Sequence, residues 1–166
     1  MESIEVLEEG KLLSFRFDEM LNYHGPGFPG GVAHGFKVMQ RAFPLLDDGN
    51  LLERREISFV TAFPGPGARD AFELVTRCLT DGRYVVDKEL PEAAKRAGES
   101  RRALLLPVEL PRAFRRSHAP PGYVREEFIQ LARKKGRTEA EERVLAGMKR
   151  DMAARLMAAK AEDIYR

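Results

Sequence analysis

The chain has 166 residues, 28 Lys and Arg against 26 Asp and Glu, and 43% hydrophobic residues. A net charge of +2 lacks the electrostatic footprint of a general nucleic-acid binder, and no apolar run approaches the roughly 18 residues that cross a bilayer. A single cysteine, Cys78, excludes an intrachain disulfide and suits a reducing compartment, and the acidic start MESIEVLEEGKLL is not a signal peptide, so a cytoplasmic location is expected.

In chain order, residues 1–13 read as a lead-in with an edge strand over 4–7. Ser14 is placed to N-cap a helix over 15–23, with Asp18 and Glu19 in its first turns and Phe17, Met20 and Leu21 on one face. The stretch 25–31 breaks the chain. A second helix is predicted over 32–45, with Gly35, Met39 and Ala42 as a flat face and Val38 and Leu45 on an adjoining stripe. A turn at 47–50 leads to a strand over 56–63, where Ile57, Phe59, Thr61 and Phe63 alternate with Ser58, Val60 and Ala62. PGPG at 64–67 ends that strand, and a helix over 68–79 turns Phe72, Val75 and Leu79 inward.

After a turn at Asp81-Gly82, a strand over 83–88, a short helix or loop over 91–98 and a strand over 102–110 are expected, with Pro107 marking an edge or bulge. Pro120-Pro121-Gly122 opens a helix to 134 carrying Val124, Phe128 and Leu131, and Gly136 ends it. Thr138 and Glu141 form a capping box for a last helix whose stripe is Leu145, Met148, Met152, Leu156 and Ala159. Segregated strands and helices predict an α+β fold: a small mixed β-sheet packed by helices. An αβαβ-type core would fill 1–111, and a helical extension over 112–166 would form a hairpin over the sheet or a dimer arm.

The stretch YHGPGFPGGVAHG (23–35) puts two histidines, two prolines and five glycines in thirteen residues. GPGFPGG runs into the second helix and PGPGARD into the third, where orphan N–H groups can hold an anion. Gly25, Gly27, Gly30, Gly65 and Gly67 would let backbone approach that ligand, Arg69 would add charge and Asp70 would orient a donor. The alternative is that Pro and Gly only fix tight reversals. Neither loop is a Walker A or dinucleotide motif. His24, His34 and Cys78 are the candidate metal ligands, since a catalytic zinc keeps three protein ligands. Each has a plainer reading: Cys78 as a small buried hydrophobe, His34 as a donor across the helix pair, His24 as a cap on the first helix's C-terminus. The run Arg112, Arg115, Arg116 and His118 reads as a solvated loop, with phosphate contact as the alternative.

Three pieces resemble one family. YHGPGFPGGVAHGF is similar to a His-Gly-His-x-Cys-Pro-Gly motif, DAFELVTRC (70–78) to an Asp-Ala-Ile-Gln segment leading to Gly-Cys-Thr, and AEDIYR (161–166) to a short acidic-aromatic ending. The family is that of the FmdE-like proteins, which takes its name from a component of formylmethanofuran dehydrogenase. The resemblance implies an α+β homodimer that binds a metal ion, such as zinc, or a small anionic ligand in a cleft, beside molybdenum or tungsten enzymes of one-carbon metabolism, with no assigned reaction. An enzyme using His24 as metal ligand or general base, and a dimeric interaction protein with a vestigial metal site, are the alternatives. The departures are specific: Pro26 stands where the second histidine of the motif would be, Phe28 where its cysteine would be, and Cys78 alone cannot supply the zinc ribbon that many members carry.

Overall fold

The computed structural model describes residues 2–62, 65–89 and 123–165. Among them the fold is α+β, with six helices and two two-stranded sheets. The elements expected over 91–98 and 102–110, the basic run at 112–118, Phe63 and the opening at 120–122 lie outside the described residues.

Strands β1 (Ser3–Glu8) and β2 (Lys11–Arg16) form an antiparallel hairpin, from Ser3↔Arg16 to Glu8↔Lys11. Its two turn residues, Glu9 and Gly10, have φ of 53° and 73°, the backbone of a turn whose twist suits a hairpin. The Glu53 carboxylate accepts both their N–H groups, at 3.2 and 2.9 Å. The helix expected from Ser14 is therefore corrected: Ser14 pairs with Glu5 inside β2. Leu13 and Phe15 are half-buried while Leu12, Ser14 and Arg16 are exposed, which is the two-residue period of a strand. Helix α1 (Phe17–His24) begins only after it, with the Glu19 carboxylate accepting the Arg16 N–H at 2.7 Å. It ends at Gly25, whose φ of 81° is open to glycine and whose N–H reaches the Leu21 carbonyl at 2.8 Å.

Helix α2 (Pro29–Leu46) starts three residues before the expected 32, because proline suits a first turn whose N–H has no partner anyway. It runs through the middle of the molecule, with Val32, Ala33, Phe36, Val38, Met39, Ala42, Phe43 and Leu46 in the core. A single 3-10 turn (Arg54–Glu56) precedes β3 (Phe59–Thr61), so the strand is shorter than 56–63, yet Ile57, Phe59 and Thr61 are buried in alternation as expected. Helix α3 (Pro66–Thr76) connects β3 to β4 (Tyr84–Val86), which pairs with β3 in parallel. Phe59 stacks on Phe72, ring centroids 4.2 Å apart, tying sheet to helix at about 0.5–1.5 kcal/mol beyond burial. PGPG does not stop short of α3: Pro66 and Gly67 are its first turn, and Arg77 in the left-handed region ends it three residues before the expected 79. The buried Arg54 donates to the last carbonyls of α3, Leu74 and Val75, at 2.6 Å each.

Helices α4 (Glu126–Arg133), α5 (Glu139–Ala158) and α6 (Ala161–Ile164) close the chain. The capping box is as expected: Glu141 N–H donates to Thr138 Oγ1 at 3.2 Å and Thr138 N–H to Glu141 Oε2 at 2.9 Å. On the predicted α5 stripe, Leu145, Met152 and Leu156 are buried and Met148 is half-buried, while Ala159 falls past the helix end. Met152, Ala153, Leu156, Ile164 and Tyr165 join the same core as α2 and α3. No helix among the described residues is long and apolar enough to cross a membrane.

Candidate functional site

Helix α1 ends on His24, and the first turns of α3 carry Arg69 and Asp70. The two helices pack so that His24 Nδ1 lies 2.7 Å from Asp70 Oδ2, although the residues are 46 apart in the chain. Arg69 donates Nε–H to the other Asp70 oxygen at 3.0 Å, and its Nη2 is at the same distance. A carboxylate only accepts, so Nδ1 carries a proton toward Asp70, and the neutral tautomer with that proton has its lone pair on Nε2. That nitrogen is buried and has no hydrogen-bond partner, on a side chain only 5% exposed. A buried polar atom left unpaired costs about 1–3 kcal/mol.

Gly27 covers it. A Cβ built on Gly27 would stand 4.0 Å from His24 Nε2. The Phe28 ring lies beside the imidazole, centroids 6.1 Å apart. From α5, Lys149 donates to the Gly27 carbonyl at 3.1 Å and places its ammonium 3.9 Å from the centre of the Phe28 ring. Partial burial holds the Lys149 pKa below the usual lysine range, with Glu142 pulling the other way.

His34, one turn into α2 beyond Gly30, repeats the arrangement with a different partner. Its Nδ1 is 2.6 Å from the Tyr165 hydroxyl, and its Nε2 is again buried and unpaired. Burial pushes the His34 pKa down to about 4 and the Tyr165 hydroxyl well above the usual tyrosine range. Arg41 donates to the Tyr165 carbonyl at 3.1 Å, fixing the chain end to α2.

Cys78 belongs to the core. It is wholly buried just past the end of α3, and burial raises its thiol to about 11, with Glu73 adding to the rise and Thr76 and Arg83 opposing it. A thiol so placed is not the thiolate a metal needs. The convergence expected of His24, His34 and Cys78 is thus corrected: His24 pairs with Asp70, His34 with Tyr165, Cys78 lies in the core, and among the described residues no three His, Cys, Asp or Glu side chains gather as a metal-ligating group.

The glycines are also reassigned. A Cβ on Gly67 would meet the Phe28 oxygen and Val32 nitrogen at 2.6 and 2.8 Å, one on Gly31 would meet Gly67 Cα at 3.1 Å, and one on Gly30 would meet Met152 Sδ at 2.7 Å. These positions are small because α2 abuts α3 and α5, which needs no ligand. Gly65 is buried at the N-cap of α3 and accepts the Arg69 N–H at 3.2 Å, and Gly25 serves as the C-cap of α1. Of the anion-holding set, Gly27, Arg69 and Asp70 stand around His24.

Sequence reasoning does not single out Lys149 as the partner of Gly27 or Tyr165 as the partner of His34. Lys149 meets Gly27 across 122 residues and Tyr165 meets His34 across 131, and no local pattern encodes either contact. A cavity of about 360 Å³ lies elsewhere, between α4 and α5, lined by Arg125, Glu127, Phe128, Met148, Asp151, Met152 and Arg155. Asp151 there pairs with Arg155 at 3.0 Å and with Arg125 at 3.8 Å. Comparison with protein-family models, curated proteins and solved structures gives no match to the chain.

Proposed function

We propose that the protein binds a small ligand in the manner of the FmdE-like proteins, and that Nε2 of His24 is the atom that meets it. One observation carries this reading: Asp70 fixes the imidazole at 2.7 Å while the opposite nitrogen is held unpaired beneath a glycine. A ring oriented through one nitrogen by a carboxylate is the usual preparation of the other for a metal ion or a proton. The stretches that carry the resemblance meet in pairs, His24 with Asp70 and His34 with Tyr165, which further supports the reading. A cytoplasmic homodimer attached to molybdenum- or tungsten-type one-carbon metabolism follows from the resemblance alone.

A second reading makes His24 the general base of an enzyme. The ion-paired Arg69–Asp70 couple behind the imidazole favours it, since such a couple stabilises an imidazolium once a proton is taken up. Long-range ¹H–¹⁵N histidine spectra test both. His24 Nε2 is expected to resonate as an unprotonated nitrogen and to move on addition of Zn²⁺ or of a small oxyanion, while the His34 nitrogens stay still. No response at His24 to any addition would remove the site.

A further inference from the structure

The covering of His24 has a chemistry of its own. Two groups border Gly27: the His24 Nε2 lone pair, which lacks a donor, and the Lys149 ammonium, which has found only a carbonyl and a ring. Among the described residues no carboxylate stands within salt-bridge distance of Lys149, and its charged neighbours Arg137 and Glu142 are closed on each other at 2.6 Å. Arg69 and Asp70 cancel likewise. The place is therefore one acceptor beside one uncompensated cation. A ligand complementary to both carries a negative charge and keeps a hydroxyl hydrogen.

We propose that His24 and Lys149 are the two ends of a binding site for a hydroxyl-bearing oxyanion such as hydrogen phosphate, closed in this conformation by Gly27 and Phe28. The inference rests on the reading of His24 as the working group and adds the identity of the ligand and the role of α5. The ligand hydroxyl donates to His24 Nε2, and its anionic oxygens replace the Gly27 carbonyl on Lys149. Entry requires Pro26 and Gly27 to lift and the exposed Phe28 ring to turn aside, while the Phe28 backbone stays as the N-cap of α2. The hinge is at hand: Gly25 has a φ of 81° with nothing within 4 Å of its Cβ direction, and Phe28 is 43% exposed. The side-chain bond that must release is the one from Lys149 to the Gly27 carbonyl. Lys149 is thus a positioning residue for the loop when empty and a ligand contact when filled.

Sulfate is the discriminating probe, because it matches phosphate in shape and charge but has no hydroxyl hydrogen at neutral pH. Calorimetric titration of the full chain with inorganic phosphate and with sulfate is expected to show phosphate about tenfold or more tighter, the worth of one hydrogen bond left unmade. Lys149→Met should weaken phosphate by a similar factor, and His24→Gln should bring the two anions level. Asp70→Asn, which can donate to Nδ1 and so move the ring proton to Nε2, should shift the preference toward sulfate while leaving Lys149 in place. Sulfate bound as tightly as phosphate by the unaltered chain, or phosphate binding indifferent to Lys149→Met, overturns the inference. Zn²⁺ moving the His24 nitrogen in a protein that ignores phosphate would sink the oxyanion site and leave His24 as the working group. Silence of His24 toward both would sink the two together.

Discussion

Gly67 of α3 sits so close to Phe28 that a Cβ on the glycine would stand 2.6 Å from the phenylalanine's carbonyl oxygen. The contact is backbone on backbone, at the junction where α2 and α3 both begin, and neither chain segment can swing aside as a side-chain tip can. Gly67→Ala is therefore expected to cost about 1–3 kcal/mol, the range for overpacking a filled interior. Gly35→Ala, which would meet Ala71 Cβ at 2.9 Å and Ala68 Cα at 3.1 Å, should follow, and Gly30→Ala should cost least because Met152 can turn its Sδ away. Urea denaturation of the three variants checks the order. Gly67→Ala as stable as the parent chain would mean that the two helices slide apart freely.

That junction also shows what is legible in the sequence. The α+β class, the alternation of Ile57, Phe59 and Thr61, the capping box at Thr138 and the stripe on α5 are local patterns, and they read correctly because each depends on neighbours a few residues away. The glycines read ambiguously. Their spacing announces close approach but not what approaches, and the answer is another helix at Gly30, Gly31, Gly35 and Gly67. The hairpin strand β2 is hidden because KLLSFR offers both a serine cap and a two-residue alternation, and pairing with β1 decides between them. His24 and Asp70 can each be picked out as polar residues beside glycine loops, but their bond spans 46 residues and exists only once α1 lies on α3. Cys78 reads both as a ligand and as a small buried hydrophobe, because residue type alone does not tell a ligand from packing, and the core holds it as the second.

Tyr165→Phe isolates the clasp at the chain end. The ring would keep its place while His34 Nδ1 lost its partner at 2.6 Å, adding an unpaired nitrogen to a side chain that already has one. A loss of about 1–3 kcal/mol is expected, with faster amide exchange through α6, whose Tyr165 N–H now donates to Ala161 at 2.8 Å. His24 spectra should be unchanged, since its hydrogen-bond partner Asp70 lies on α3. Unaltered stability would show that Arg41 and apolar packing alone hold the tail.

The same histidine sets an acid limb. His34 has a folded pKa of about 4 because burial disfavours its charge, against about 6.5 in an unfolded chain. Between those values the unfolded state binds a proton that the folded state refuses, so stability falls as pH drops through 6.5 and the loss levels off below about 4. The full effect is on the order of 3 kcal/mol. Carboxylates held low by ion pairs, such as Glu8 between Arg55 and Arg54 and Asp81 between Arg83 and Arg55, lose their contribution only at more acidic pH, as they protonate. His34→Gln should flatten the stability profile between pH 6.5 and 4.5 and leave the more acidic limb intact. A parent profile already flat over that interval would mean that the ring accepts a proton where it sits.

Cys78 offers the cleanest check on its removal from the site. Its thiol is wholly buried and raised to about 11, so at pH 8 only about one molecule in a thousand carries the reactive thiolate, against roughly a quarter of an exposed cysteine. Burial withholds even that fraction from reagent. Modification by an aromatic disulfide should be at least about a hundredfold slower than in denaturant, and its rate should follow the opening of the fold as urea rises. Phosphate or Zn²⁺ should slow it only as far as either stabilises the whole protein. Rapid reaction in the native state, abolished by Zn²⁺ at concentrations that leave stability untouched, would return the thiol to a metal site beside His24.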